Sequence, residues 1–231
     1  IGRSATRNKL AVTSKYKWLL FIDADVIPKS KKFIKNYLNA IDNSSQVLSG
    51  GITYRNKPIE KKQILRWKYG KNREYKPIKF RQKNPYVSLF SSNFLILKKV
   101  IVNTPFNEEI SKKTNEDSLF SYVLKLNKIM VKHIENEVFH ENLEYSSVFL
   151  KKTLEYSKSS LLLVQKNLLN KDYMKITKAY FILKKFKIDY LFKLIYIIFE
   201  RILQKQLKSS RPSLFIFDLY RLSYLCYISK I

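Results

Sequence analysis

Apolar residues run unbroken through Trp18-Leu19-Leu20-Phe21-Ile22, a stretch that reads as a buried strand. Ahead of it, residues 4–14 carry a helical pattern, with Ser4 at the N-cap position and Leu10 and Ala11 facing inward. Pro28 stops the strand. Ser30 then caps a helix over residues 31–41, where Phe33, Ile34, Tyr37, Leu38 and Ile41 recur at helical spacing. Residues 46–48 predict a short strand, Gly50-Gly51 a bend or close backbone approach, and residues 52–54 a continuation of that strand. Between residues 55 and 85 periodicity dissolves into a basic, aromatic-bearing stretch that reads as a helix followed by a long loop. Residues 87–90 and 94–97 are strand-like, 98–102 a turn or short helix, 115–126 a helix and 129–134 a strand, with 137–140 at its far side.

From about Ser146 onward nearly every segment is helix-compatible, and no repeat is evident. The predicted organisation is an α/β body over residues 1–147 and a helical region over 148–231. The most apolar region, residues 180–203, is interrupted by Lys184, Lys185, Lys187, Asp189 and Lys193, so no stretch has the length a membrane-spanning helix needs. Read as one helix, it aligns Lys185, Asp189, Lys193, Glu200 and Gln204 on a narrow stripe and leaves most of the remaining circumference apolar. Such a helix either docks on the body or lies in a membrane interface with its lysines reaching the headgroups. The aromatic patch formed by Phe215, Phe217, Tyr220, Tyr224 and Tyr227 favours the membrane surface and a peripheral contact.

Composition changes the picture in two ways. The formal charge of +27 raises polyanionic partners. However, lysine far outnumbers arginine, the better bidentate reader of phosphate, and the lysines are scattered among isoleucine, asparagine and tyrosine. That excess also matches the coding bias of an AT-rich genome, and no zinc-finger or RRM-like motif accompanies it, so specific nucleic-acid binding is not expected. Cys226 is the single cysteine, which excludes an intrachain disulfide and a cysteine-based zinc site and fits a reducing, cytoplasmic compartment.

Two acidic clusters carry the candidate chemistry. Asp23-Ala24-Asp25 ends the first apolar run, and a strand ending in carboxylates delivers them to a sheet rim, where α/β architectures bind ligands and a hard divalent cation finds oxygen donors. The alternative is a turn before Pro28 whose aspartates cap the next helix. Glu116 and Asp117 open a helical segment, where a carboxylate facing a cleft accepts a proton from an incoming hydroxyl. Thr114 with Asp117 also has the spacing of a capping box, so spacing alone leaves both readings open. His133 reads as structural or exposed. His140 lies where a strand would return to the rim carrying Asp25, and an imidazole joining carboxylates suits Mn²⁺ or Mg²⁺. The stretch around Arg66, Trp67, Lys68 and Tyr69 either borders an acceptor site or is an ordinary solvated segment.

The order of these pieces resembles the middle of the family 2 glycosyltransferases. The resemblance rests on residues 2–11, 18–28, Ser92-Asn93-Phe94-Leu95-Ile96-Leu97, Pro105-Phe106-Asn107-Glu108, Asn115-Glu116-Asp117 and Val138-Phe139-His140. It implies a GT-A fold lacking its first strands and followed by an α-helical tail, a nucleotide-sugar donor, Mn²⁺ or Mg²⁺, and inversion at the anomeric carbon. By position it implies Asp25 as metal ligand, Asp23 on the donor ribose or sharing the metal, and His140 completing the metal or diphosphate contacts. It further implies Asp117 as base, Glu116 beside it placing the acceptor, and Arg7 and Asn8 near the donor. The family's nucleotide-base half does not precede Ile1, so the chain reads as N-terminally truncated and the expected activity is that of the intact enzyme. The implied setting is assembly of a surface polysaccharide or glycolipid on a glycan or lipid-linked acceptor at the inner face of the cell membrane. The rival class is a non-catalytic basic protein that binds a membrane surface or nucleic acid.

Overall fold

The computed structural model describes residues 2–109 and 114–229. In chain order it contains α1 (Arg3–Thr13), β1 (Trp18–Ile22), β2 (Val26–Pro28), α2 (Phe33–Ala40), β3 (Val47–Ser49), β4 (Ile52–Thr53), α3 (Ile64–Tyr69), α4 (Ile78–Lys83), β5 (Asn93–Leu97) and α5 (Lys98–Asn103). There follow α6 (Glu116–Leu126), β6 (Val131–His133), β7 (Val138–His140), α7 (Ser146–Gln165), α8 (Lys175–Lys185), α9 (Asp189–Leu207) and α10 (Leu214–Ile228). The chain forms two compact units, one of Ile1–Asn56 with Gly70–Asn142 and the other of Lys57–Tyr69 with Leu143–Ile231. The change from α/β to helical structure falls between Asn142 and Leu143, and the helical unit also takes in the earlier segment Lys57–Tyr69.

In the first unit a four-stranded mixed sheet has the order β1-β5-β3-β6, with β5 antiparallel to both neighbours and β6 parallel to β3. A second sheet has the order β2-β7-β4, with β7 antiparallel to β2 and parallel to β4. The core joins Phe94 and Ile96 of β5, Val47 of β3 and Val131 of β6 to Ala11 of α1, Ile101 of α5, Phe106, and Phe120 and Leu124 of α6. Each such side chain stabilises the unit by about 1.5–3 kcal/mol relative to exposure. The stretch Trp18–Ile22 is a strand as expected, but an edge strand and only half-buried, because β5 flanks it on one side alone. Phe21 still stacks on Phe94, with ring centroids 5.0 Å apart.

Several local expectations fail for identifiable reasons. Residues 52–54 do not prolong β3: at Gly50-Gly51 the chain turns out of the first sheet and β4 joins the second. Before Pro85 the expected helix is present as a 3-10 turn (Lys61–Gln63) and α3, but in place of the long loop after it the chain forms a π-helical segment (Gly70–Glu74) and α4, pieces too short for a readable period. Residues 87–90 form a turn rather than a strand; Leu89 donates its N–H back to Tyr86 and plugs the core. Ser4 is buried inside α1 rather than capping it, and the N-cap is Gly2.

A buried polar network fixes the corner between the two sheets. Tyr37 donates to Asn93 Oδ1 (2.7 Å) and accepts from the Gly50 N–H (3.0 Å), while Asn93 Nδ2 donates to the carbonyls of Gly51 (2.8 Å) and Asn136 (2.9 Å). Asn136 in turn donates to the Phe33 carbonyl (2.9 Å). Gly51 has φ +83° and a Cβ there would lie 2.7 Å from the Arg81 guanidinium, so this corner requires glycine both for its backbone and for its space. Arg81, buried, donates to the carbonyl of Ile134 (3.1 Å) and lies 3.2 Å from His133 Nδ1.

His133 is accordingly structural. Its Nε2–H donates to the Pro85 carbonyl (2.8 Å), leaving Nδ1 to accept from Arg81, and burial followed by the Arg81 charge holds its pKa down to about 4. An unfolded histidine titrates near 6.5, so the unfolded chain binds this proton first as pH falls. The contribution is complete above about pH 6.5 and is lost on the way to about pH 4, on the order of 3 kcal/mol in all. Urea unfolding at pH 7, 5 and 4 should show that fall in the wild type and a flatter profile in His133→Gln.

In the second unit, one cluster gathers Leu65, Phe149, Leu150, Tyr196, Leu203, Leu207, Phe217 and Tyr220, and another joins Leu161, Tyr180 and Leu183 to Leu225 and Cys226. Helix α10 contributes to both. The segment Lys57–Tyr69 belongs here because Tyr69 packs on Phe149 and Phe217, and Arg66 lies over the Phe149 ring beside Glu144. The single helix expected over residues 180–203 is two: α8 ends at Lys185, Lys187 takes φ 54°, and α9 starts at Asp189. Among the described residues no helix is long and apolar enough to cross a membrane.

Candidate functional site

Strand ends and helix starts of the first unit bring the sequence-predicted residues together. Asp23 follows the last residue of β1, and Asp25 precedes β2. The antiparallel register of β2 with β7 sets Val26 opposite His140, and the Glu141 N–H donates to the Asp25 carbonyl (2.9 Å). This pairing brings His140 Nε2 to 3.3 Å from Asp25 Oδ2. Neither aspartate caps the next helix; the N-cap of α2 is Lys32 rather than the expected Ser30, and the Lys32 N–H donates to Ser30 Oγ.

The other face of His140 is positioned by two residues that the pattern gave no reason to select. The buried Tyr54 donates its hydroxyl to Glu74 Oε2, and its oxygen lies 3.3 Å from His140 Nδ1. That oxygen therefore accepts from Nδ1–H, which leaves the Nε2 lone pair facing Asp25 Oδ2. Two acceptors 3.3 Å apart need a proton or a cation between them. When a proton occupies that position, the hydrogen bond from His140 is the main reason the Asp25 carboxyl lies below its ordinary range; the Arg3 charge adds to the effect. Gly70, at the start of the π-helical segment, makes room for Tyr54: a Cβ there would lie 2.2 Å from its ring.

Arg7 is the hub of the acidic side. Buried on α1, it donates from Nη2 to Asp23 Oδ1 (3.0 Å), while Nη1 lies 3.9 Å from Glu116 Oε1 and 3.6 Å from Asp117 Oδ1. Arg3, one turn earlier on the same face, reaches Glu116 Oε1 at 3.4 Å. The Arg7 guanidinium sits 5.2 Å from the Phe106 ring centroid. Asn8 holds that loop in place: its amide donates to the Phe106 carbonyl and to Glu108 (both 2.8 Å), and its oxygen accepts from the Phe106 N–H (2.9 Å). In this arrangement Asn8 positions Arg7's neighbour.

Asp117 is the unsatisfied member. Its Oδ1 is buried with no hydrogen-bond partner, as is the Arg7 Nη1 it faces, yet its side chain as a whole remains 38% exposed. Burial and then the Glu116 charge raise its pKa; Arg7 and a hydrogen bond from Ser91 oppose that without reversing it. The capping-box alternative does not hold, because α6 is capped by Asn115 in the left-handed region (φ 71°) without a side-chain cap bond.

Asp23, Asp25, Glu116, Asp117, His140 and Arg7 thus share one unit and are linked through Arg7 and through the Asp25–His140 pair. Asp23 is engaged by Arg7, and among the described residues no three Asp, Glu, His or Cys side chains gather as a ready-made cation cluster. Asp25 and His140 form a two-residue donor set. Their separation is close to the ~3 Å between adjacent corners of an octahedron with bonds of about 2.1 Å. The sequence pointed to Arg7 but not to Arg3, which the four-residue spacing along α1 would have suggested; Tyr54, Glu74 and Ser91 carried no local signal. Arg66, Trp67, Lys68 and Tyr69 belong to the other unit. No protein-family model and no curated protein matches the chain.

Proposed function

We propose that this chain is the catalytic part of a metal-dependent, inverting glycosyltransferase of GT-A architecture, resembling family 2, that moves a sugar from a nucleotide-diphosphate donor to a hydroxyl. The observations that carry the reading are the Asp25–His140 pair at 3.3 Å and, two residues before Asp25, Asp23 held by the buried Arg7 that also faces Asp117, whose Oδ1 has no hydrogen bond and whose pKa burial raises. The mixed sheet that delivers Asp23 and Asp25 from a strand end supports the same architecture.

In this mechanism Asp25 and His140 would hold Mn²⁺ or Mg²⁺, cations for which one or two protein groups suffice when a diphosphate is bound. When bound, the cation stabilises negative charge developing on the departing diphosphate. Tyr54 and Glu74 fix the imidazole tautomer so that Nε2 faces the ligand site. Arg7 restrains Asp23, which faces the donor, and lies beside Glu116 and Asp117. Asp117 takes the acceptor proton as the hydroxyl attacks; its raised pKa makes it a stronger base than an exposed carboxylate. Base and leaving group act on opposite sides of the sugar, so one displacement inverts configuration. The acid limb of kcat/KM should accordingly lie above the ordinary carboxylate range. The acceptor in this reading is a glycan or lipid-linked hydroxyl.

Titration of Mn²⁺ followed by electron paramagnetic resonance tests the donor pair directly. Asp25→Ala should weaken binding by more than ~10-fold, and Tyr54→Phe by about 10-fold through loss of the group that orients His140. Equal affinity in wild type and both variants would remove the cation from the mechanism.

A further inference from the structure

Helix α9 is built inside out for a helix surrounded by water. Its polar residues turn toward the rest of the helical unit: Glu200 accepts from Tyr196 (2.9 Å) and Gln204 (3.1 Å), Gln204 donates to Tyr220 of α10 (3.1 Å), and Asp189 pairs with Lys184 of α8 (3.4 Å). The buried positions Tyr196, Leu203 and Leu207 lie on that same side. The opposite face presents Tyr190, Leu191, Leu194, Ile197, Ile198 and Ile202, each between 45% and 63% exposed. At 100° per residue these six fall within about a third of the circumference, with Arg201 and Lys205 among them toward the C-terminal end. An exposed apolar stripe this long marks an interaction surface rather than ordinary scatter.

The charge around the stripe indicates what covers it. Residues 171–211 contain eleven lysines and arginines against three carboxylates. Of the three carboxylates, Asp189 is paired with Lys184 and Glu200 faces inward. The third, Asp172, lies at the α8 end in a shallow groove of about 400 Å³, where Lys171, Lys178, Lys184 and Lys185 outnumber it beside Phe181 and Ile182. An apolar stripe bordered by cations with long flexible stems fits an anionic bilayer surface: the aliphatic side chains enter the acyl boundary and the lysines meet the headgroups. A protein partner would need a matching apolar ridge in an acidic frame. A second copy of this chain, with the same basic frame, would meet its own charge.

We infer that α9, with the lysine-lined groove beside it, is a peripheral docking surface for an anionic lipid bilayer, independent of the chemistry proposed for the first unit. Cations close to an anionic surface each add to the attraction and are screened by salt, so the binding should depend steeply on lipid charge and ionic strength. The test is vesicle flotation of the full chain, with light scattering of the lipid-free protein in parallel. Wild type should float with vesicles of phosphatidylcholine and phosphatidylglycerol in a 7:3 ratio. It should remain unbound with phosphatidylcholine alone and be released by 0.5 M NaCl. Ile198→Glu, at a surface position that leaves the core intact, should lower partitioning by at least 10-fold without changing the far-ultraviolet circular dichroism. Lys184→Glu with Lys185→Glu should do the same on anionic vesicles only. Three outcomes would overturn the inference: no flotation of wild type, equal flotation with neutral vesicles, or a lipid-free dimer that Ile198→Glu dissolves.

Discussion

Asp117→Asn is expected to lower the turnover of nucleotide sugar by about 10²–10⁴-fold, the range that a positioned general base contributes, while raising thermal stability at neutral pH. Both effects have one cause. The native fold holds the Asp117 proton more tightly than the unfolded chain does, because burial and then Glu116 disfavour its charge. With the native pKa above the unfolded value, the native state binds more protons between the two, so stability declines as pH rises through that interval. Asparagine removes the ionisation and with it the penalty. The midpoint of thermal unfolding at pH 7 should rise, and the gain should vanish at a pH below the ordinary carboxylate range. A purely structural Asp117, paired productively with Arg7, would give the reverse: asparagine would lower stability at pH 7.

The second large effect lies away from the chemistry. Asn93→Leu preserves approximate volume at a position that is 1% exposed, but it strips partners from the Gly51 and Asn136 carbonyls and from the Tyr37 hydroxyl. The Asn136 carbonyl is left unpaired, at about 1–3 kcal/mol, and the Gly51 carbonyl and Tyr37 hydroxyl each lose one of their bonds, so the variant should lose on the order of 3 kcal/mol, a large share of the stability of an ordinary domain. Urea unfolding monitored by circular dichroism measures this. Asn136→Leu, which keeps the backbone carbonyl that Asn93 uses but removes the side-chain bonds to the Phe33 carbonyl and from Asn36, should cost a comparable amount. A loss below about 0.5 kcal/mol in Asn93→Leu would mean that the corner between the sheets does not depend on the network.

The parts of this fold legible in the sequence were those with a strong local period. The β1 stretch was identified to the residue, and α1, α2, α5 and α6 nearly so, because each repeats an apolar position at the spacing of its own geometry. The corner at Gly50-Gly51 was visible as a close approach, but its partners were not: Asn93, Asn136 and Arg81 come from far along the chain, and no local period encodes such a meeting. The helical turns after α3 were missed because they are short: the π-helical segment starts at Gly70 and ends at Glu74, and α4 starts after Pro77 and ends at Lys83. The polar stripe on α9 was seen, but it was extended backward across the break at Lys187, and a pattern alone does not tell which side of a helix faces its neighbours. At the site, Asp25, Asp117 and His140 were selected by residue type at a strand end or helix start. Tyr54 and Glu74 act only through His140, which is a relation of the folded unit and not of the sequence.

Release of nucleoside diphosphate from a panel of nucleotide-diphosphate sugars, assayed with Mn²⁺ and a hydroxyl acceptor, is the most direct measurement of the central claim. The account predicts turnover of at least one donor, a product of inverted anomeric configuration, and loss of that turnover in both Asp117→Asn and Asp25→Ala. Turnover that survives both substitutions, or a wild-type protein that transfers and hydrolyses none of the donors, would contradict it.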